Sequence, residues 1–153
     1  MSPVNWWQVR IPLAAEVAAH GWLTSNNREG HSIAQGRRVK AFRRAAADAG
    51  RKAGLPVGVS GVSLHFDCSY VTATAPVRDR LNLEPTIKAL VDGLGPEKGF
   101  LRQGRSNWVP GCGFLVDDSD KHVINTTWAL QRDPNKSALP YVILTIKRTG
   151  PQL

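Results

Sequence analysis

Between residues 59 and 72 the chain alternates. Val62, Leu64, Phe66, Cys68 and Tyr70 stand against Ser63, His65, Asp67 and Ser69. A period of two places these sets on opposite faces of a β-strand, so the apolar set needs a second layer to cover it. This is the clearest strand in the sequence, and other segments extend it into a sheet. In residues 6 to 13, Trp7, Val9, Ile11 and Leu13 alternate with Gln8, Arg10 and Pro12. Proline donates no ladder hydrogen bond, so this strand belongs at an edge or ends there. Lys121 to Gln131 and Leu139 to Lys147 fit two further strands. In the last, Tyr141, Ile143 and Thr145 alternate with Val142, Leu144 and Ile146. With both faces apolar, it is expected to be central and covered on both sides.

The covering layer is expected to be helical. Ser32 and Gln35 make a capping-box pattern, and Val39, Phe42, Ala46, Ala49 and Ala53 recur at helical spacing, which predicts an amphipathic helix from 33 to about 53. Its stripe is mostly alanine, which permits close approach to a sheet. A shorter helix follows Asn82 as cap, with Pro85 in its first turn, an apolar stripe of Ile87, Leu90, Val91 and Leu94, and Gly93 or Gly95 at its end. Residues 23 to 31 read as a polar loop. Residues 95 to 113 read as a basic loop containing Trp108. A chain of 153 residues holds one core and is too short for two ordinary domains. Residues 1–153 are therefore read as one domain of the α/β (α+β) class, a mixed β-sheet packed with two main helices.

Charge narrows the function. Twenty Lys and Arg against twelve Asp and Glu leave +8 and a pI near 10.1. Such a balance favours a polyanionic partner, although a merely soluble basic protein would share it. The predicted long helix carries Arg37, Arg38, Lys40, Arg43, Arg44, Arg51 and Lys52 against the single acid Asp48. A solvated face is the ordinary reading, but so few acids leave little salt-bridge lacing, which favours a phosphate-tracking surface. No basic amphipathic helix with a Trp/Leu face supports a membrane surface. Arg10 and Glu16 interrupt the first apolar stretches below signal or transmembrane length, so a cytoplasmic protein is expected. Cys68 and Cys112 lack C-x-x-C spacing, which indicates neither a disulfide framework nor a zinc site.

Two acidic motifs carry possible chemistry. Asp117-Asp118-Ser119-Asp120 crowds three acids into four positions before a strand. Adjacent carboxylates repel, and a divalent cation with oxygen ligands, Mg²⁺ or Mn²⁺, would relieve that. A surface turn is the plain alternative. In Arg78-Asp79-Arg80 a carboxylate stands between two guanidinium groups, an arrangement suited to holding a metal and a phosphate together, or else a salt-bridged turn.

The order of a Leu-Thr-x-Asn loop, a basic helix, a strand, then Arg-Asp-x-x-Asn-Leu-x-Pro-Thr-x-Lys-Ala-x-x-Asp-Gly-Leu over 78 to 94, and Asp-Asp before a strand, resembles the phage and prophage branch of the RusA-type Holliday junction resolvases. The similarity spans roughly residues 22 to 148. It implies a homodimeric α/β endonuclease that nicks four-way junctions and other branched DNA symmetrically with Mg²⁺, in the host cytoplasm if phage-encoded. Carried over by position, the catalytic acids are Asp79, Asp117 and Asp118. Lys88 is a further catalytic or DNA-contacting position, beside Arg78, Arg80 and Asn82, and the helix cations Arg37, Arg38, Lys40, Arg43 and Arg44 extend the DNA surface. Many family members carry Asp-x-Asp-Asn where this chain has Leu81, and Glu84 or Asp120 would then supply the missing metal ligand. Without such compensation the alternative is a non-catalytic branched-DNA-binding protein of the same fold. An RNA-binding or ribosome-associated protein is a third reading, resting on charge alone.

Overall fold

The computed structural model describes residues 5–24, 32–70, 80–117, 122–132 and 139–148. Strand β1 (Trp6–Pro12), helix α1 (Ala14–His20), helix α2 (Ser32–Lys52) and strand β2 (Val62–Tyr70) come first. A 3-10 turn, Arg80–Leu83, leads into α3 (Glu84–Leu94), followed by β3 (Lys98–Arg102), β4 (Arg105–Val109), β5 (Val123–Arg132) and β6 (Tyr141–Arg148). The main sheet runs β1-β6-β2-β5. Its β2–β5 pair is parallel and the other two pairs are antiparallel, so the sheet is mixed.

Alternation decides which way the sheet faces. Val9 and Ile11 of β1, Val142, Leu144 and Ile146 of β6, and Leu64, Phe66 and Cys68 of β2 are all buried and lie in register on one face. The helices pack there. Phe42, Ala46 and Ala49 of α2 and Ile87, Leu90 and Leu94 of α3 join the same core, as does Phe114, whose ring meets Trp7 edge-on at 5.5 Å between centroids.

Pro12 sits where its missing N–H costs least. Leu13 N–H donates to the Pro140 carbonyl at 3.0 Å, and Arg148 N–H to Asn5 at 2.8 Å. The odd residues of β1 therefore direct their backbone groups at β6, and the even ones, Pro12 among them, direct theirs off the sheet edge.

Four expectations need correction. First, a third α-helix, α1, lies between β1 and the polar loop, in a stretch to which the sequence assigned no element. None of its residues is buried, so no apolar stripe announced it. Second, β6 is central, but among the described residues only one side of it is covered: Tyr141, Ile143 and Thr145 are half-exposed while Val142, Leu144 and Ile146 are buried. Third, Asn82 does not cap α3. Leu83 occupies that position without a side-chain cap, and Pro85 fits the first turn as expected. Fourth, residues 98 to 109 form an antiparallel hairpin instead of a loop. Gln103 and Gly104 at its tip have φ of 52° and 75°, the paired left-handed conformation whose twist suits a two-residue β-turn.

The alanine stripe of α2 serves a helix contact as well as the sheet. Gly93 of α3 lies so close to α2 that a Cβ there would run into the Arg43 carbonyl oxygen and stand 2.9 Å from the Ala46 Cβ. Gly93 is thus a packing residue inside α3, and Gly95 follows the helix as its C-cap. No helix among the described residues is long and apolar enough to cross a membrane.

Candidate functional site

The 78–94 motif divides into residues explained by packing and residues that are not. Leu83, Ala89 and Leu94 are buried, Pro85 starts the helix, and Gly93 admits α2. Thr86 is fully buried and donates its hydroxyl to the Leu23 carbonyl at 2.7 Å, tying α3 to the segment before α2. Asp92 accepts from Lys88 Nζ at 2.9 Å and stands 3.9 Å from Arg43 Nη1. Of the remaining polar positions among the described residues, Asn82 precedes α3 and Lys88 lies in its second turn.

Arg78, Asp79, Asp118 and Asp120 lie outside the described residues, and Arg80 enters only through its backbone in the 3-10 turn. Asn82 is half-buried and Glu84 is exposed in the first turn of α3. Leu81, at the position where many resolvases carry an acid, is 57% exposed. Lys88 is 60% exposed, and its partner Asp92 is one helical turn away.

Asp117 stands where β2 and β5 begin. Val59 and Leu115 form a parallel bridge just before it, Leu115 N–H donates to the Leu94 carbonyl at 2.8 Å, and Gly61 N–H donates to His122 at 3.0 Å. The Asp117 carboxylate is about half exposed and 3.6 Å from His122 Nε2, while His122 Nδ1 lies 2.9 Å from Ser60 Oγ. His122 is a neighbour that the sequence reading did not single out. Among the described residues no three acids, histidines or cysteines gather closely enough to hold a metal.

The cations of α2 serve two purposes. Arg37, Lys40 and Arg44 are exposed, and their spacing of three and four aligns them in one solvent-facing stripe. Arg38 is half-buried beside them. Arg43 turns inward: its side chain is 14% exposed, and Nε donates to the Pro110 carbonyl at 2.5 Å. Arg51 donates to the Gly111 carbonyl and lies within 4 Å of both Asp48 and Glu97. Arg43 and Arg51 therefore clamp the segment that carries the β3–β4 hairpin.

On the open sheet face, His65 Nδ1 lies 2.6 Å from Thr127 Oγ1 and Nε2 lies 3.1 Å from Asp67, which also accepts from Gln131. Asp67 thus faces outward as expected, partly screened by these partners. Cys68, three residues from His65, points into the core. Burial, with Asp67 next in the chain, pushes its thiol up to about 12. Burial also raises the Cys112 thiol, and neither cysteine has the lowered pKa of a nucleophile. A cavity of about 530 Å³ opens between β1, α1 and α2, and its acids are Glu16 and Asp48, not those of the motifs.

No protein-family model matches the chain, and no curated protein sequence matches it.

Proposed function

We propose that the chain is a Mg²⁺-dependent, structure-selective DNA endonuclease of the RusA type, which acts as a homodimer and resolves four-way junctions by paired symmetric nicks. One observation carries the reading. Packing accounts for Leu83, Pro85, Thr86, Ala89, Gly93 and Leu94 of the motif, while Asn82 and Lys88 are polar positions outside the core, and Arg78 and Asp79 lie outside the described residues. Arg78, Asp79, Asn82 and Lys88 suit phosphate and metal chemistry, and the exposed stripe of Arg37, Lys40 and Arg44 suits a DNA backbone.

The donor set is all oxygen, which fits Mg²⁺ or Mn²⁺. Asp79, Asp117 and Asp118 would hold the ion, with Glu84 as the further carboxylate in place of the acid lost at Leu81. When bound, the ion supplies Lewis-acid activation of water and neutralises charge at the phosphate. Arg78 and Arg80 orient the phosphate through paired N–H donors. Lys88 stabilises the departing 3′ oxygen. Its present bond to Asp92 is an exposed i,i+4 pair worth about 0.3–0.5 kcal/mol, easily exchanged for a phosphate.

Leu81 favours the second reading, a branched-DNA-binding protein of this fold that no longer cuts. Cleavage of a synthetic four-way junction with and without Mg²⁺ separates the two. The endonuclease reading expects symmetric nicks only with the metal; tight junction binding without nicks at any divalent metal concentration would leave the binding protein.

A further inference from the structure

A two-stranded ribbon on its own is marginal in water, so a projecting hairpin must be held at its base. The β3–β4 hairpin is held from both sides. Beyond β4, Cys112 N–H donates to Gly93, Gly113 N–H to Gly95 and Leu115 N–H to Leu94, all at 2.8–3.0 Å. Arg43 and Arg51 hold the Pro110 and Gly111 carbonyls. Gly111 is seated so tightly that a Cβ there would run into the carbonyls of Gly95 and Pro96. The base is rigid, and the far end is open to solvent.

One face of the ribbon is not built like an ordinary solvated hairpin. Register puts Gly99 opposite Trp108 and Leu101 opposite Ser106, so these four residues share one face. The indole of Trp108 lies across Gly99, where a Cβ would meet ring atoms at 3.2 Å. It is nevertheless 59% exposed, and Leu101 is 76% exposed. An aromatic ring is therefore backed by glycine and held out to water with a leucine on the same face. Lys98, Arg102 and Arg105 belong to the same hairpin, and no acid occurs between Glu97 and Asp117. Glu97 at the base is within 3.9 Å of Arg51.

We propose that this hairpin is a base-stacking finger. Trp108 takes an unpaired or splayed base on its exposed ring, Leu101 packs beside it, and Lys98 and Arg105, which register places on the opposite face of the narrow ribbon, reach round its edges to the flanking phosphates. Cations without acids match a nucleic-acid strand, and every base offers a ring face to an indole. An apolar protein surface would use Trp108 and Leu101 but offer nothing to the cations Lys98 and Arg105 of the same ribbon. Two apolar side chains on a narrow ribbon are also little area for insertion between lipids. An intact duplex keeps its bases stacked, whereas a junction centre or a gap does not, so the finger supplies preference for branched over linear DNA. The inference rests on the DNA-binding part of the reading above and not on cleavage.

The test is metal-free binding of wild type, Trp108→Ala and Trp108→Phe to a labelled intact duplex, the same duplex with a single-stranded gap, and a four-way junction. Trp108→Ala should weaken gapped and junction binding about 5- to 150-fold, the loss of one base–aromatic stack, and change duplex binding by about twofold or less. Trp108→Phe should recover most of the loss, and Leu101→Ser, a charge-neutral change at a residue too exposed for folding to depend on it, should weaken the same two substrates. Equal binding by wild type and Trp108→Ala on all three DNAs would overturn the finger while leaving DNA binding intact. So would an equal loss on all three. Wild type that binds none of the DNAs at low salt would overturn the DNA reading and the finger together. Trp108-dependent binding to anionic phospholipid vesicles, with DNA binding indifferent to Trp108, would assign the hairpin to a membrane surface instead.

Discussion

Two helical glycines of this chain have opposite surroundings and should respond oppositely to the same substitution. Gly36 of α2 has nothing within 4 Å of the position a Cβ would take, whereas Gly93 of α3 would drive one into α2. Gly36→Ala should raise stability by up to about 1 kcal/mol through helix propensity. Gly93→Ala should lower it by about 1–3 kcal/mol through overpacking, both read as shifts of the urea midpoint at constant slope. Cys68 gives a pH-dependent counterpart. Its thiol rises from an ordinary 9.0 to about 12 in the folded protein, so above pH 9 the unfolded chain loses a proton that the folded one keeps. The contribution is complete below pH 9 and is lost as pH climbs toward 12, at about 1.4 kcal/mol per pH unit. Cys68→Val should remove that decline, so the wild-type-minus-variant stability difference should fall between pH 9 and 10.5. A flat difference would mean that the buried thiol does not hold its proton.

At the scale of elements, α2 couples the core to the proposed DNA surface. Replacing Arg37, Lys40 and Arg44 by alanine should reduce the slope of log affinity against log salt by up to about 2.7, at about 0.9 per duplex phosphate contact. Arg43→Ala should leave that slope unchanged and lower stability, because its guanidinium serves Pro110 and Asp92. An unchanged slope in the triple variant would remove the stripe from the interface. The elements that were legible in the sequence are those with one buried and one exposed face: β1, β2, α2 and α3 show their period because burial selects apolar residues at that period. α1 and the hairpin escaped because neither buries a regular stripe, and Phe114 and Leu115, both in the core, sit in a short run with no period. The two-sided apolar pattern of β6 reported its central position correctly, but Tyr141, Ile143 and Thr145 tolerate half-exposure, so a second covering layer did not follow.

For the whole molecule, the mixed sheet covered on one face by helices was readable from those patterns, and the roles of Gly93 and Arg43 were not, since both depend on how α2 meets α3. The proposed acidic site rests on residue types and spacing. Of its three aspartates only Asp117 falls among the described residues, beside His122 and Ser60 at the entry to β2 and β5. If Asp79, Asp117 and Asp118 jointly hold a catalytic Mg²⁺, as proposed, junction nicking and junction binding by Asp79→Asn and Asp118→Asn, each with and without the metal, will show it. Each variant should lose Mg²⁺-dependent nicking while binding the junction as tightly as wild type or more so, because a negative charge near the phosphate is removed. Full Mg²⁺-dependent nicking by both variants would contradict the site, whatever became of the fold.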